Sequence, residues 1–266
     1  MLRTRLLTAL VALPALYAII AYVPAAYFNG FIVAVIAVGL YEFFLMALPA
    51  HAAERVVGLA AGVAVAAGMA WGRHEAWGAG IALAVLSGFA LTLLRPDDLA
   101  GGVQRAGLVL LGVLYVGFLL PHAMTLREAG HDGWRWVLFA VYVAMGSDSG
   151  GYFAGRAFGR VCLAPAISPG KTVEGVAGAV ALAVLIALLC RAVFARFLGL
   201  GEAAGLAVAV SLLAQLGDLC ESALKRAFGA KDSGWIIPGH GGILDRLDSI
   251  LFPVVFVYYY AALPRG

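Results

Sequence analysis

Long, unbroken apolar runs dominate this chain and limit its fold more than any other feature. A helix needs about 20 mostly apolar residues to cross the hydrocarbon core of a bilayer. Of the 266 residues, 63% are hydrophobic and only 12% are charged, which is too few charges to cover a water-facing surface. The runs are continuous and do not alternate with polar residues, which favours helices over a β-barrel. The sequence therefore predicts an all-α, polytopic transmembrane protein.

Nine runs are candidates for membrane-spanning helices. They are 6–23, 28–48, 56–71, 77–94, 106–120, 134–146, 173–194, 203–220 and 250–263. Arg3 and Arg5 before the first run also fit a signal peptide, but a second run follows at once, which favours a retained span. We expect one membrane domain over 1–266, with lipid-embedded helices in 1–130 and catalytic helices in 134–263. Its cytoplasmic loops are predicted at 147–175 and 218–249.

The distribution of basic residues predicts the orientation of these helices. With nine spans, twelve of the 18 Lys and Arg residues lie on the side of the N-terminus. The positive-inside rule places that side in the cytoplasm. The two most polar loops then face the cytoplasm as well. The net charge of +3 is small and gives no indication of a nucleic-acid partner.

Carboxylates cluster where one apolar run ends and the next begins. Asp218 and Glu221 end the eighth run, and Asp245 and Asp248 precede the ninth. Each pair has i, i+3 spacing, which places it on one helical face. Carboxylates gathered at a membrane interface repel each other unless a cation lies among them. Hard oxygen ligands of this kind are typical of Mg²⁺ or Ca²⁺ sites, and the alternative is a solvated loop with paired surface charges.

Basic residues and glycines lie between these two acidic pairs. Arg and Lys bind phosphate groups, and glycine lets backbone N–H groups approach an anion closely. His240 could bind phosphate, move a proton or cap a helix. The candidate phosphate-binding residues of this stretch are Lys225, Arg226, Lys231, Asp232, His240, Gly241, Gly242 and Arg246.

A second polar segment follows the sixth run. Asp148 lies at the end of that run and is a further candidate metal ligand. Gly170-Lys171-Thr172 superficially resembles a phosphate-binding P-loop, but that motif needs a glycine where this chain has Pro165. Ser168-Pro169 instead predicts a helix that starts near Thr172. Its N-terminus, with Lys171 beside it, is either an anion site or an ordinary helix cap.

Two other residue types have open interpretations. Glu42 lies deep in the second run, so it either has a function or pairs with another helix. Cys162, Cys190 and Cys220 are odd in number and lack C-x-x-C spacing, so no disulfide framework or zinc site is expected.

A 27-residue stretch resembles the signature of phosphatidate cytidylyltransferases, also called CDP-diacylglycerol synthases. It reads Ser222-x-Leu224-Lys225-Arg226-x4-Lys231-Asp232-x-Gly234-x2-Ile237-Pro238-x-His240-Gly241-Gly242-Ile243-x-Asp245-Arg246-Leu247-Asp248. The segments 147–155 and 168–175 resemble the same family, although many members carry a second lysine where this chain has Gly170.

This resemblance implies a reaction in which the phosphate of phosphatidic acid attacks the α-phosphorus of CTP, giving CDP-diacylglycerol and pyrophosphate. It implies Mg²⁺ held chiefly by Asp218 and Asp245, with K⁺ as a companion cation. Asp148, Glu221 and Asp248 are second candidates, either as further ligands or as groups that orient the ligands. The residues expected to act in catalysis are Asp218, Asp245, Lys225, Arg226 and Asp248. A bacterial inner-membrane location and a homodimer are also expected.

Two other functions compete with this interpretation. A CTP-dependent lipid or polyprenol kinase would transfer the γ-phosphate instead of the cytidylyl group. An ion-coupled transporter would use Glu42, Asp148 and Asp218 as relay groups, but its acids should lie near the middle of the membrane. Most acids of this chain lie near the predicted cytoplasmic ends.

Overall fold

The structure is a computed structural model that describes residues 14–234 and 241–263. Its first helix, α1, is described over 14–22. The elements that follow are α2 (Ala25–Ala47), α3 (Ala52–Ala70), α4 (His74–Leu93), a 3-10 turn (Pro96–Asp98), α5 (Leu99–Gly112), a π-helical turn (Val113–Phe118), α6 (His122–Arg127), α7 (Gly133–Phe158), β1 (Cys162–Ala164), β2 (Ser168–Thr172), α8 (Val173–Val193), α9 (Leu200–Ala227) and α10 (Leu244–Ala262). The predicted helical class is confirmed. An additional short antiparallel hairpin, β1–β2, pairs Cys162 with Thr172.

Several helices have the length and composition of membrane spans. Within the described residues, six qualify: Ala25–Ala47, Ala52–Ala70, Glu75–Leu93, Pro96–Arg127, Val173–Val193 and Leu200–Ala227. Large apolar side chains cover their outer surfaces, and Leu86, Leu93 and Val193 expose 69%, 73% and 74% of their area. Lipid is the solvent in which such a surface is stable. The total of nine spans stays a prediction, and most of the first predicted run lies outside the described residues.

The C-terminal helices form a tightly packed group around α7. This helix packs against α8, α9 and α10, and its central residues Leu138, Phe139 and Ala140 are completely buried. The contact with α8 depends on small residues: a Cβ on Gly178 would lie 3.0 Å from the carbonyl oxygen of Gly150. Close backbone approach of this kind is the usual way in which helices associate in lipid.

This close contact also explains a difference from the predicted boundaries. The sixth apolar run ends at Gly146, whereas α7 continues to Phe158. The polar, glycine-containing residues from Ser147 onward stay helical because α8 packs against them. The predicted loop 147–175 therefore begins only after Phe158, and Asp148 lies on a helix.

Polar contacts tie the helix ends together on both sides of the bundle. On one side, the Asn29 amide donates to the Ala70 carbonyl (3.2 Å) and to Glu128 (2.8 Å), while the Arg127 Nε donates to the Ile20 carbonyl (2.7 Å). These contacts join the ends of α1, α3 and α6 to the start of α2.

On the other side, ion pairs join the start of α3 to the connection between α4 and α5. The buried Glu54 pairs with Arg95 at 2.6 Å and with Arg105 at 3.3 Å. Together with the contacts at the opposite end, these pairs stabilise the antiparallel arrangement of α2, α3 and α4.

The packing of α7 on α8 leads to a stability prediction. Gly178→Val should lower the free energy of unfolding by about 1–3 kcal/mol, because the added side chain overpacks the contact with Gly150. Gly30→Val is the matched control, since a Cβ on Gly30 meets nothing within 4 Å. Thermal unfolding in detergent would measure both variants, and equal melting temperatures would contradict this account of the α7–α8 contact.

Candidate active site

Five acidic side chains from three helices gather in one region. Asp148 comes from the second half of α7, Asp218 and Glu221 from the C-terminal half of α9, and Asp245 and Asp248 from the first turns of α10. The prediction that Asp245 and Asp248 begin a helix is confirmed, whereas the prediction that Asp218 and Glu221 end one is wrong, because α9 continues to Ala227. Residues far apart in the sequence thus form one polar region.

The first of its ion pairs connects the hairpin to α9. Lys171 on β2 lies 2.8 Å from Asp218, and its Nζ also donates to the Gln215 carbonyl at 3.4 Å. The Ser222 hydroxyl donates to the same aspartate at 3.3 Å. The structure therefore unites Lys171 and Asp218, which sequence reasoning had placed in separate segments.

The second ion-pair group is centred on Lys225. Its Nζ donates to Asp245 Oδ1 at 2.6 Å and forms an ion pair with Glu221 one turn earlier on α9. The Glu221 side chain is completely buried, with 0% exposure. One lysine thus compensates two carboxylates from two helices, and a buried charge of this kind needs such a partner.

The hydrogen bonds of Asp245 hold it as an anion. Its Oδ2 accepts from the N–H of Gly242 (2.8 Å), the N–H of Ser233 (3.0 Å) and the Ser233 hydroxyl (2.9 Å). Asp245 precedes the apolar part of α10, which starts at Ile250. Partial burial opposes ionisation, but the bonds from Lys225, Gly242 and Ser233 outweigh it and lower the pKa of Asp245 to about 2.

Asp148, Asp218 and Asp248 form the other carboxylate group. They are close enough to repel each other electrostatically, and Asp148 also bonds to the Ser249 side chain. Within 14–234 and 241–263, no three His, Cys, Asp or Glu side chains are grouped tightly enough to hold a metal ion. The all-oxygen donor set nevertheless suits Mg²⁺, which is usually bound by one or two carboxylates plus water and substrate phosphate.

The other predicted site residues differ in their contacts and in their exposure. Thr172 caps α8 by accepting a hydrogen bond from the N–H of Gly175 at 3.1 Å, so the helix-cap interpretation is confirmed. Arg226 is exposed and reaches the Ile167 carbonyl beside the hairpin at 3.4 Å. Ser168 is half-buried on β2, whereas Lys231, Asp232 and Arg246 are exposed. Gly241 adopts a positive φ of 80°. His240 lies outside the described residues.

Two residues from the first half of the chain also reach this region. Glu42, on α2, accepts a hydrogen bond from the N–H of Leu244 at 3.0 Å, so it does pair with another helix. Tyr115 lies in the π-helical turn, where its ring contacts Phe252 on α10. Because Tyr115 lies in an apolar run, the sequence did not mark it as part of this region. The sequence did mark Glu42, because a charged residue deep in an apolar run is unusual.

Comparison with known proteins agrees with this arrangement. A family model described as the cytidylyltransferase family matches residues 3–263. The chain belongs to the cytidylyltransferase family. Within that family, it is 40% identical over 160 residues to a phosphatidate cytidylyltransferase of Bacillus subtilis, which is 60% of each chain. It is 37% identical over 198 residues to a phosphatidate cytidylyltransferase of Brucella suis, which is 69% of this chain and 73% of the relative.

The extent of these matches differs between the relatives. The chain spans 60% of the length of the Bacillus cytidylyltransferase. A third relative, the phosphatidate cytidylyltransferase of Staphylococcus saprophyticus, is 43% identical over 148 residues, or 55% of each chain.

The two bonds of Lys225 lead to a prediction for the stability of the protein. Lys225→Met should destabilise the protein by about 3–5 kcal/mol, because Glu221 and Asp245 lose their common counter-charge. Arg226→Met is the control on the adjacent, exposed residue and should change stability little. Thermal unfolding of the purified variants measures the difference, and a Lys225→Met protein as stable as the control would show that the pairing is not stabilising.

Proposed function

We propose that this protein transfers the cytidylyl group of CTP to phosphatidic acid, forming CDP-diacylglycerol and pyrophosphate. The observation that carries the proposal is the meeting of five carboxylates and two lysines from α7, β2, α9 and the start of α10, in a chain of the cytidylyltransferase family. Such a site lies beside an apolar bundle. It can therefore receive a lipid from the membrane and a nucleotide from water.

In this proposal Asp218 and Asp245 hold Mg²⁺, with Asp148 and Glu221 as additional ligands and Asp248 orienting them. A monovalent cation such as K⁺ accompanies it. When bound, Mg²⁺ would neutralise charge on the triphosphate and favour attack at phosphorus. The donor chemistry of these side chains supports this assignment, since all offer hard carboxylate oxygens.

The basic residues would divide between the triphosphate and the lipid phosphate. Lys171 and Lys225 each lie within ion-pair distance of an acid, so each can exchange a carboxylate for a phosphate oxygen when substrate enters. Phosphate contacts are also proposed for the remaining candidate residues. Of these, Arg226, Lys231, Asp232 and Arg246 are exposed, Ser168, Thr172 and Gly241 are half-buried, Gly242 is buried, and His240 lies outside the described residues.

The bond changes need no general base. A phosphate oxygen of phosphatidic acid forms a bond to the α-phosphorus of CTP, and the bond from that phosphorus to the α–β bridging oxygen breaks. The bond's electron pair leaves with pyrophosphate. Because the nucleophile is already an anion, the protein contributes orientation and charge neutralisation.

The aspartates provide the direct test of this function. Asp218→Asn and Asp245→Asn should each reduce turnover about 10²–10³-fold, the size expected when a charged transition-state partner is lost. The assay uses purified protein in lipid with phosphatidic acid, Mg²⁺ and CTP labelled on the α-phosphate. Asp97→Asn, at an exposed position of the 3-10 turn, is the control and should keep full turnover.

The same assay with CTP labelled on the γ-phosphate separates this reaction from that of a lipid kinase. Label from the α-phosphate should appear in the lipid product, and label from the γ-phosphate in pyrophosphate. Lipid labelled from the γ-phosphate would instead identify a kinase. Wild-type turnover in both Asp→Asn variants would refute the assigned roles.

We also propose nine membrane spans, a cytoplasmic N-terminus and an active site that faces the cytoplasm of a bacterial inner membrane. The bond from Leu244 to Glu42 supports this topology, because it places the end of α2 and the start of α10 on one side of the bundle. Assembly as a homodimer stays a prediction from the family resemblance.

Cysteine accessibility tests the proposed orientation. In a variant without native cysteines, a single cysteine replaces either Ala166 in the hairpin or Gly130 after α6, both exposed positions. A membrane-impermeant maleimide should label Gly130→Cys in intact cells, and Ala166→Cys only after permeabilisation. The reverse pattern would invert the proposed topology.

A further inference from the structure

Glu42 is a buried carboxylate that binds the polar loop from the opposite half of the chain. It lies near the C-terminal end of α2 and is only 2% exposed. Its Oε2 accepts hydrogen bonds from the N–H of Leu244 at 3.0 Å and from the Ser233 hydroxyl at 3.5 Å. These partners lie on either side of the segment 235–240 in the family signature.

Two glycines let the chain pack directly on this carboxylate. A Cβ on Gly234 would lie 2.5 Å from Glu42 Oε1, and a Cβ on Gly242 would lie 2.5 Å from Glu42 Oε2. Real Cβ atoms do not approach other atoms so closely. Any larger residue at either position would displace the loop or the Glu42 carboxylate, so both flanks of 235–240 pack directly on Glu42.

Ser233 connects this contact to the proposed metal ligand. Its hydroxyl, which lies near Glu42, donates to Asp245 Oδ2 at 2.9 Å and accepts from the Asp245 N–H at 3.3 Å. Leu244, which donates to Glu42, is the residue immediately before Asp245. Glu42 therefore acts on Asp245 chiefly through the backbone. The single proton of the Ser233 hydroxyl goes to Asp245 at 2.9 Å, and Glu42 at 3.5 Å is its weaker acceptor.

Burial of this group is costly. Glu42 Oε1 has no hydrogen-bond partner among the described residues. A buried polar atom without a partner is unfavourable, because it has given up its hydrogen bonds to water. An apolar residue on α2 would avoid that cost but could not accept the N–H of Leu244 or the Ser233 hydroxyl. The cost is therefore offset only by the contacts to the loop.

We propose that Glu42 is a positioning residue for the reaction: from α2 it holds the two flanks of 235–240 together and so fixes the orientation of Asp245. Glu42 acts through Ser233 and Leu244 and does not itself contact substrate. This inference rests on the proposed cytidylyl transfer for its kinetic consequence, but the anchoring of the loop can be measured without any activity.

The test compares Glu42→Gln with Glu54→Gln. Glu54 is an equally suitable buried carboxylate of the first half of the chain, 2% exposed, but its ion pairs run to Arg95 and Arg105. Hydrogen–deuterium exchange of the peptides covering 228–234 and 241–250 reports on the anchoring. Steady-state kinetics with CTP and phosphatidic acid, and thermal unfolding, complete the comparison.

Glu42→Gln should speed exchange in these two peptides and lower kcat about 10–100-fold, as is usual when support for a ligand is lost, with KM for phosphatidic acid within twofold of wild type. Glu54→Gln should lower the melting temperature and leave exchange in these peptides and kcat within twofold of wild type. If Glu42→Gln cannot be purified, Glu42→Asp gives the same comparison, because it keeps the charge but withdraws the carboxylate by one methylene.

Four outcomes would overturn the proposal. They are unchanged exchange at the two flanks in the Glu42 variant, faster exchange there with normal kcat, a rise in KM alone, and an equal loss of kcat in Glu54→Gln. An inactive wild-type protein would instead refute cytidylyl transfer, and the exchange measurement would still decide whether Glu42 anchors the loop.

Discussion

Pairing between lysines and carboxylates across helix ends is the interaction on which the polar end of this molecule depends. Lys171 joins the hairpin to α9 through Asp218, and Lys225 joins α9 to α10 through Asp245. Beside lipid, unpaired carboxylates would repel each other and separate the helices that carry them. The same pairs hold the carboxylates close together, which is the arrangement in which they can receive a substrate that brings its own phosphates and cation.

The sequence predicted the features that depend on local composition. Apolar runs located most helices, and the position of Asp245 at the start of α10 followed from where the ninth run begins. Features set by tertiary packing were missed. The helix through Asp148 exceeds its apolar run because α8 supports it, and the pairing of Lys171 with Asp218 requires the hairpin to fold back on α9. Neither the length of this helix nor this ion pair can be predicted from the residues next to it in the sequence.

The division into lipid-embedded helices before residue 130 and catalytic helices after it is too sharp. Glu42 and Tyr115 belong to the first part, yet one bonds to the start of α10 and the other lies against Phe252 and near Glu221. The N-terminal helices therefore form one wall of the polar region as well as contacting lipid. An ionisable residue inside an apolar run was the sole sequence signal of this arrangement.

The π-helical turn at Val113–Phe118 determines which way Tyr115 faces. Such a turn accommodates one more residue than regular α-helix and is common near functional sites. Loss of a single amino acid from this stretch would restore ordinary winding and change the direction of the side chains within the turn, while the helical residues on either side keep their faces. The tyrosine ring would then leave Phe252 for another face of the bundle. The number of residues in this turn is therefore constrained, as well as their identity. Related chains should have few insertions and deletions there.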